Sequence, residues 1–142
     1  MAHRILPDSP FGLRVRERLE SERVIWFTTV GSDGTPQPNP VWFIWDGGDE
    51  ILTYNLPDSY RIAHIADRPN VALHFDGNRA GNDIVVLRGH AEPVDGLPAA
   101  DASPDYVAKY GPDMARISGS ADAFAARYSQ PVRVKITRVR GH

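Results

Sequence analysis

The chain has 142 residues, with 16 Lys+Arg against 18 Asp+Glu and a formal net charge of −2, a length that suits one domain and a balance that offers little to the counterion release driving nucleic-acid binding. Hydrophobic residues at 42% and charged residues at 24% match ordinary globular usage and exclude a disordered or fibrous chain. There is no cysteine, which removes disulfide frameworks, thiolate metal sites and cysteine nucleophiles, so redox chemistry has to borrow a cofactor.

The opening residues carry no apolar signal region, and the longest apolar runs, 24–27 and 41–45, are far too short to span a bilayer. A single cytoplasmic domain over residues 1–142 is expected, with neither membrane nor nucleic acid as partner. Ser9 followed by Pro10 marks a helix start, because the hydroxyl can cap an open N–H and proline has none to lose at the first helical position. Residues 11–22 then continue as a short amphipathic helix. The run 23–30 is β-branched or aromatic after Arg23 and closes on Gly31-Ser32-Asp33-Gly34, a strand ending in a hairpin. Its return strand covers 37–45, and 50–55 follows as a third, so three successive strands predict a meander.

Pro57-Asp58-Ser59 breaks the sheet and starts a helix over 60–66, with Ile62 and Ile65 on one side and Arg61 and His64 on another. Residues 71–75 read as a fourth strand and 83–91 as a fifth with a bulge at Gly89. Ser103-Pro104 and Ser120 cap two or three helical pieces between 105 and 128. The last strand, 132–139, alternates apolar and basic residues, so one face is buried. About six strands and a few short helices predict a mainly β fold, a small β-barrel, since closure is how a sheet of this size disposes of its edges.

Two stretches carry possible chemistry. Pro36, Pro38 and Pro40 recur at every second position of a strand-like segment, so they remove donors from one edge only, while Gln37, Asn39 and Val41 can still pair on the other. Such an edge, with acceptors alone, either protects the sheet from aggregation or receives a planar ligand whose rim meets Gln37 and Asn39, with Trp42 on the opposite face. The second stretch joins Tyr54 and Asn55 to the start of the 60–66 helix, where open N–H groups, the Ser59 hydroxyl and the Arg61 guanidinium suit a phosphate. Arg61 and His64, three apart, share a helical face; the competing reading is a solvated face with an ordinary capping serine. His3, His64, His74, His90 and His142 lack HExxH-like spacing, so no metal site is expected. Walker-type, strand-linked GxGxxG and GxSxG motifs are absent.

Taken together, GSDGTP at 31–36, PVWF at 40–43 followed by WDG, RPNVAL at 68–73, DIVVLRGHAE at 83–92 and YSQPVRVKITRVRG at 128–141 resemble the split β-barrel, flavin-binding family related to pyridoxamine 5′-phosphate oxidase. Within it they are similar to the actinobacterial branch that uses the deazaflavin coenzyme F-420. The resemblance implies a homodimer with two cofactor sites at the subunit interface. It places Gln37, Asn39, Pro40, Val41 and Trp42 behind the ring, Tyr54 and Asn55 beside it, and Ser59, Arg61 and His64 at the phosphate. Leu87, Arg88 and Gly89 would approach from the partner chain. True pyridoxamine phosphate oxidases end in a substrate motif with Trp and Arg, which 138–142 does not resemble.

The implied activity is that of an oxidoreductase passing a hydride from reduced coenzyme F-420 to a small unsaturated acceptor of quinone, enone or tetrapyrrole type, with Tyr54, Tyr60 and His64 as candidate proton donors. Two rivals stay open: the same fold holding FMN as a flavin reductase or pyridoxamine phosphate oxidase-like enzyme, and a flavin or deazaflavin carrier or sensor without turnover.

Overall fold

Seven strands share one antiparallel sheet: β1 (Ile25–Val30), β2 (Pro36–Val41), β3 (Ile44–Trp45), β4 (Glu50–Asn55), β5 (Asn70–His74), β6 (Val85–Pro93) and β7 (Gln130–Gly141). The computed structural model describes residues 5–142, so His3 lies outside it. Strand order across the sheet is β2-β1-β5-β6-β7-β4-β3. The two strands at its ends, β2 and β3, are consecutive in the chain and separated only by Trp42 and Phe43. Such a short crossing forces the sheet to curl until its ends face each other, which makes it a half-barrel, the split β-barrel expected from the sequence.

The expected meander is corrected here. β1 and β2 form a hairpin, but β4 pairs with β7 and β3 and not with β2. The reason is a break in the 37–45 run. At Phe43 the backbone N–H donates to the Tyr110 hydroxyl at 3.0 Å, and its carbonyl accepts from Lys109 Nζ at 2.9 Å, so side chains from a later helix replace a strand neighbour. One predicted strand thereby becomes two, and the sheet has seven strands.

The irregularity falls beside Gly89 as expected, but the bulged strand is the facing one, β7, and not β6. Arg88 is opposite Arg138 and Gly89 is opposite Ile136, so Thr137 of β7 is the extra residue.

Among the described residues four α-helices join the sheet: α1 (Pro10–Ser21), α2 (Tyr60–Asp67), α3 (Pro104–Ser118) and α4 (Ala121–Arg127). Ser9, Ser59 and Ser120 cap α1, α2 and α4 through their hydroxyls. Val15 and Leu19 of α1 and Ile65 of α2 enter the main core with Phe27, Phe43, Ile51, Leu73 and Leu87. Tyr106, Tyr110 and Met114, spaced four apart on α3, join Tyr54, Phe124 and Ala125 in a second core. No helix among the described residues is long and apolar enough to cross a membrane.

Candidate functional site

β2 is the end strand of the sheet, and every residue from Pro36 to Pro40 is exposed. The register sets Gln37 opposite Thr29, Asn39 opposite Phe27 and Val41 opposite Ile25. The adjoining turn bonds Gly31 N–H to the Thr35 carbonyl at 3.0 Å. Hydrogen-bonded pairs alternate along an antiparallel ladder, so Gln37, Asn39 and Val41 turn their N–H groups toward β1. The outer edge then carries the carbonyls of the three prolines and no donor, as the sequence pattern required.

Beside this edge, a cleft of about 440 Å3 opens between β2, the end of β4, the start of α2 and the paired helices α3 and α4. It brings together Asn39, Pro40, Val41, Trp42, Tyr54, Asn55, Ser59 and Arg61, eight residues singled out from the sequence. Gln37 and His64 line a smaller adjoining cleft of about 170 Å3, which shares Asn39, Ser59 and Arg61 with the first. Leu87, Arg88 and Gly89 are elsewhere in this chain. The Leu87 side chain is fully buried in the main core, while Arg88 and Gly89 line a separate concavity with Thr28 and Ala72.

Arg61 is half-buried, and burial lowers its pKa. It makes no ion pair among the described residues. A partly desolvated guanidinium without a carboxylate is a group whose charge is compensated only when an anion arrives. The Ser59 hydroxyl accepts from Arg61 N–H at 3.3 Å, which sets both residues at the first turn of α2, where open backbone N–H groups add to the positive field.

Asn55 is buried, and its Nδ2 donates to Thr53 Oγ1 at 2.9 Å and to the Gln130 carbonyl at 3.3 Å. A carbonyl only accepts, so the amide is oriented with its NH2 toward the strand. Its Oδ1 has no partner among the described residues and is left as an acceptor in a cleft-lining side chain.

The three candidate proton donors differ in their surroundings. Tyr54 donates its hydroxyl proton to the Pro98 carbonyl at 2.8 Å, and burial raises its pKa. Tyr60 is 83% exposed at the mouth of the smaller cleft. His64 Nδ1 lies 2.9 Å from the Thr29 hydroxyl, which fixes its ring at the floor between α2 and β1. Among the described residues no group of three His, Asp or Glu gathers as a metal site.

A sequence model described as pyridoxamine 5′-phosphate oxidase matches residues 13–142. The chain belongs to the pyridoxamine 5′-phosphate oxidase family. No curated protein sequence matches it. Among solved structures, an F-420 reductase aligns with a TM-score of 0.62 at 20% identity, over 88% of this chain and 94% of its own. A conserved hypothetical protein from Mycobacterium tuberculosis gives 0.63 at 20% identity, over 99% and 88%. A FAD-binding protein from Mesorhizobium loti gives 0.64 at 19% identity, over 89% and 90%. At these identities the likeness is one of fold, and the fold is that of the flavin-binding split barrels.

In this member of the oxidase family, sequence reasoning missed the wall of the cleft that α3 and α4 build. Tyr106, Ile117, Phe124 and Tyr128 line it, with Val24 and Leu56 at its margins. A signal was present: Tyr106, Tyr110 and Met114 form a stripe at helical spacing, and Phe124 and Tyr128 are four apart. The stripe gives the buried face, but which strand end it covers is a long-range fact. Trp42 is held against this wall, its ring stacked on Tyr110 at 4.6 Å and on Phe124 at 5.3 Å between centroids.

Proposed function

We propose that the protein is an oxidoreductase that passes a hydride from reduced deazaflavin coenzyme F-420 to a small unsaturated organic acceptor, and that it does so as a homodimer with two cofactor sites. The observation that carries the reading is the cleft itself: an unpaired, half-buried guanidinium at one end and a stacked aromatic surface at the other. These are the two things a phosphate-bearing tricyclic coenzyme needs from a protein. Kinship of fold with an F-420 reductase supports the choice of coenzyme.

Arg61, Ser59 and His64 would hold the phosphate. Gln37, Asn39, Pro40, Val41 and Trp42 would back the ring, with Tyr54 and Asn55 beside it. When bound, the coenzyme would supply the acceptor with a hydride, two electrons with one proton. A second proton then comes to the acceptor from water or from an acidic side chain. Tyr54, held by the Pro98 carbonyl, is poorly suited to that task, whereas His64 and Tyr60 border the phosphate end. The chain's own contribution is to fix two flat molecules in contact and exclude water from them, and orientation of this kind supplies most of the rate in such reactions. The partner subunit would close the open side of the cleft along β2, where Arg88 and Gly89 of a second copy are the candidates.

The test is titration of the purified protein with coenzyme F-420, FMN and FAD, followed by absorbance and fluorescence. F-420 is expected to bind tightest, and Arg61→Ala to weaken it by about 1.5–3 kcal/mol, the usual size of a hydrogen bond to a charged group. Tight FMN or FAD binding without F-420 binding would reverse the choice of coenzyme. An unchanged dissociation constant in Arg61→Ala would remove that residue from the site.

A further inference from the structure

Lys109 and Lys135 are the two lysines of the chain, and the fold treats them differently. Lys135 lies on β7 with its side chain 65% exposed and its Nζ 3.9 Å from the Asp49 carboxylate. Lys109, on α3, is half-buried and makes no ion pair among the described residues. Its Nζ donates to the Phe43 carbonyl at 2.9 Å and stands 3.8 Å from the centre of the Phe43 ring. The Tyr110 hydroxyl does not duplicate this bond. It has one proton to give, and its 2.6 Å contact with the Arg23 carbonyl is shorter than its 3.0 Å contact with that of Phe43.

The charged groups around Lys109 favour the neutral amine. Arg23, just before β1, is a second cation at the same aromatic ring: its Cζ lies 5.1 Å and Lys109 Nζ 5.3 Å from the centre of Tyr110. Glu22, which opposes the effect of Arg23 on Lys109, is bonded to Arg18 Nε at 2.9 Å. Asp113 is taken by Arg23 and Arg116. Burial first, and then Arg23, lower the Lys109 pKa to about 8. At a pH of about 7.5 roughly a quarter of such an amine is neutral, against about one part in a thousand of an ordinary lysine. The neutral amine is a nucleophile and the ammonium is not.

Arg23 also has capacity to spare. Its side chain is 53% exposed, and Nη2 donates to the Asp113 carboxylate and the Lys109 carbonyl. Nε and Nη1 make no hydrogen bond among the described residues. A guanidinium with two free donors beside a nucleophilic amine is suited to receive the phosphate of an anionic electrophile.

We propose that Lys109 is a site of covalent modification, acylated by small acyl phosphates whose phosphate end Arg23 receives. The amine nitrogen attacks the acyl carbon, and the bond from that carbon to the bridging oxygen breaks. Phosphate leaves with the electron pair and takes up the proton that the nitrogen gives up. The product amide keeps one N–H for the Phe43 carbonyl and carries no charge. The crossing that holds Trp42 then stays tied, while the cation over the Phe43 ring is lost.

The experiment incubates the purified protein with acetyl phosphate and follows acetylation of the two lysines by peptide mass spectrometry, with neither coenzyme nor acceptor present. At a pH of about 7.5, Lys109 is expected to react about tenfold faster than Lys135, which serves as the reference within the same molecule. Added inorganic phosphate should slow Lys109 and leave Lys135 unchanged. Arg23→Gln should slow Lys109 about tenfold, through loss of both the phosphate contact and the neighbouring charge.

Lys109 that reacts no faster than Lys135, or at a rate indifferent to phosphate or to Arg23→Gln, overturns the proposal. The comparison of the two lysines and the competition by phosphate use the wild-type chain, so they decide the matter even if Arg23→Gln loosens the contact between α3 and β1.

Discussion

Gly89 shows how one atom governs a strand. A Cβ built on it would lie 2.5 Å from Val134 Cγ1 and 3.0 Å from the Lys135 carbonyl, so there is no space for a side chain where β6 meets the bulge of β7. β7 needs that bulge because its alternation changes phase there: Val132, Val134 and Ile136 point into the core, Thr137 is spare, and Val139 resumes the inward face opposite Leu87. Gly89→Ala is therefore expected to cost about 1–3 kcal/mol, the range for overpacking a well-filled site. A urea-unfolding midpoint equal to that of the wild type would show that the strand yields freely at this point. Arg61 belongs to the same scale. Nothing in its sequence neighbourhood says that it lacks a carboxylate partner, since an acid from any later strand was free to pair with it.

At the scale of elements, the helix α3 does the work that a strand neighbour would do elsewhere. Tyr110 and Lys109 satisfy the backbone of Phe43, and Lys109 Nζ also lies 3.8 Å from the centre of the Phe43 ring. Burial, helped by Arg23 nearby, lowers the Lys109 pKa from 10.5 to about 8. Between these values the unfolded chain binds the extra proton, so stability rises with pH from about 8 upward. The buried tyrosines act with the opposite sign. Burial pushes Tyr110 up to about 12, so above 10 the unfolded chain loses its proton while the folded chain keeps it, and stability falls. Tyr54 and Tyr106 are raised for the same reason and add to that fall.

Thermal unfolding followed across this alkaline range should show a rise toward pH 10 and a decline beyond. Lys109→Met should abolish the rise and keep the decline. If the variant follows the wild-type curve throughout, Lys109 is not the group responsible.

For the whole molecule, the sheet leaves one face without a helix. Trp26, Thr28, Ala72, His74 and Val86 are half-exposed there, with Trp26 stacked on His74 at 6.1 Å. The prolines of β2 keep a further strand from adding at that edge, so the proposed partner subunit would pack against a face. In sedimentation at micromolar concentration a dimer is expected, and Val86→Arg should shift it toward monomer and weaken coenzyme binding with it. A monomeric wild type that binds coenzyme would remove the partner subunit from the site.

Much of this protein is written in short-range signals. Three serine caps, the proline edge, the glycine at the bulge and the alternation of the strands are all consequences of covalent geometry and local hydrogen bonding, so they are visible in windows of a few residues. Asn39, Pro40, Val41, Trp42, Tyr54, Asn55, Ser59 and Arg61 lie in or beside such windows and line one cleft. Tertiary structure alone decided the strand order, because the break at Phe43 is made by a tyrosine and a lysine 66 to 67 residues later. It alone also decided that the α3 and α4 stripe faces the end of β4, since an apolar face at helical spacing records that it is buried and not what buries it.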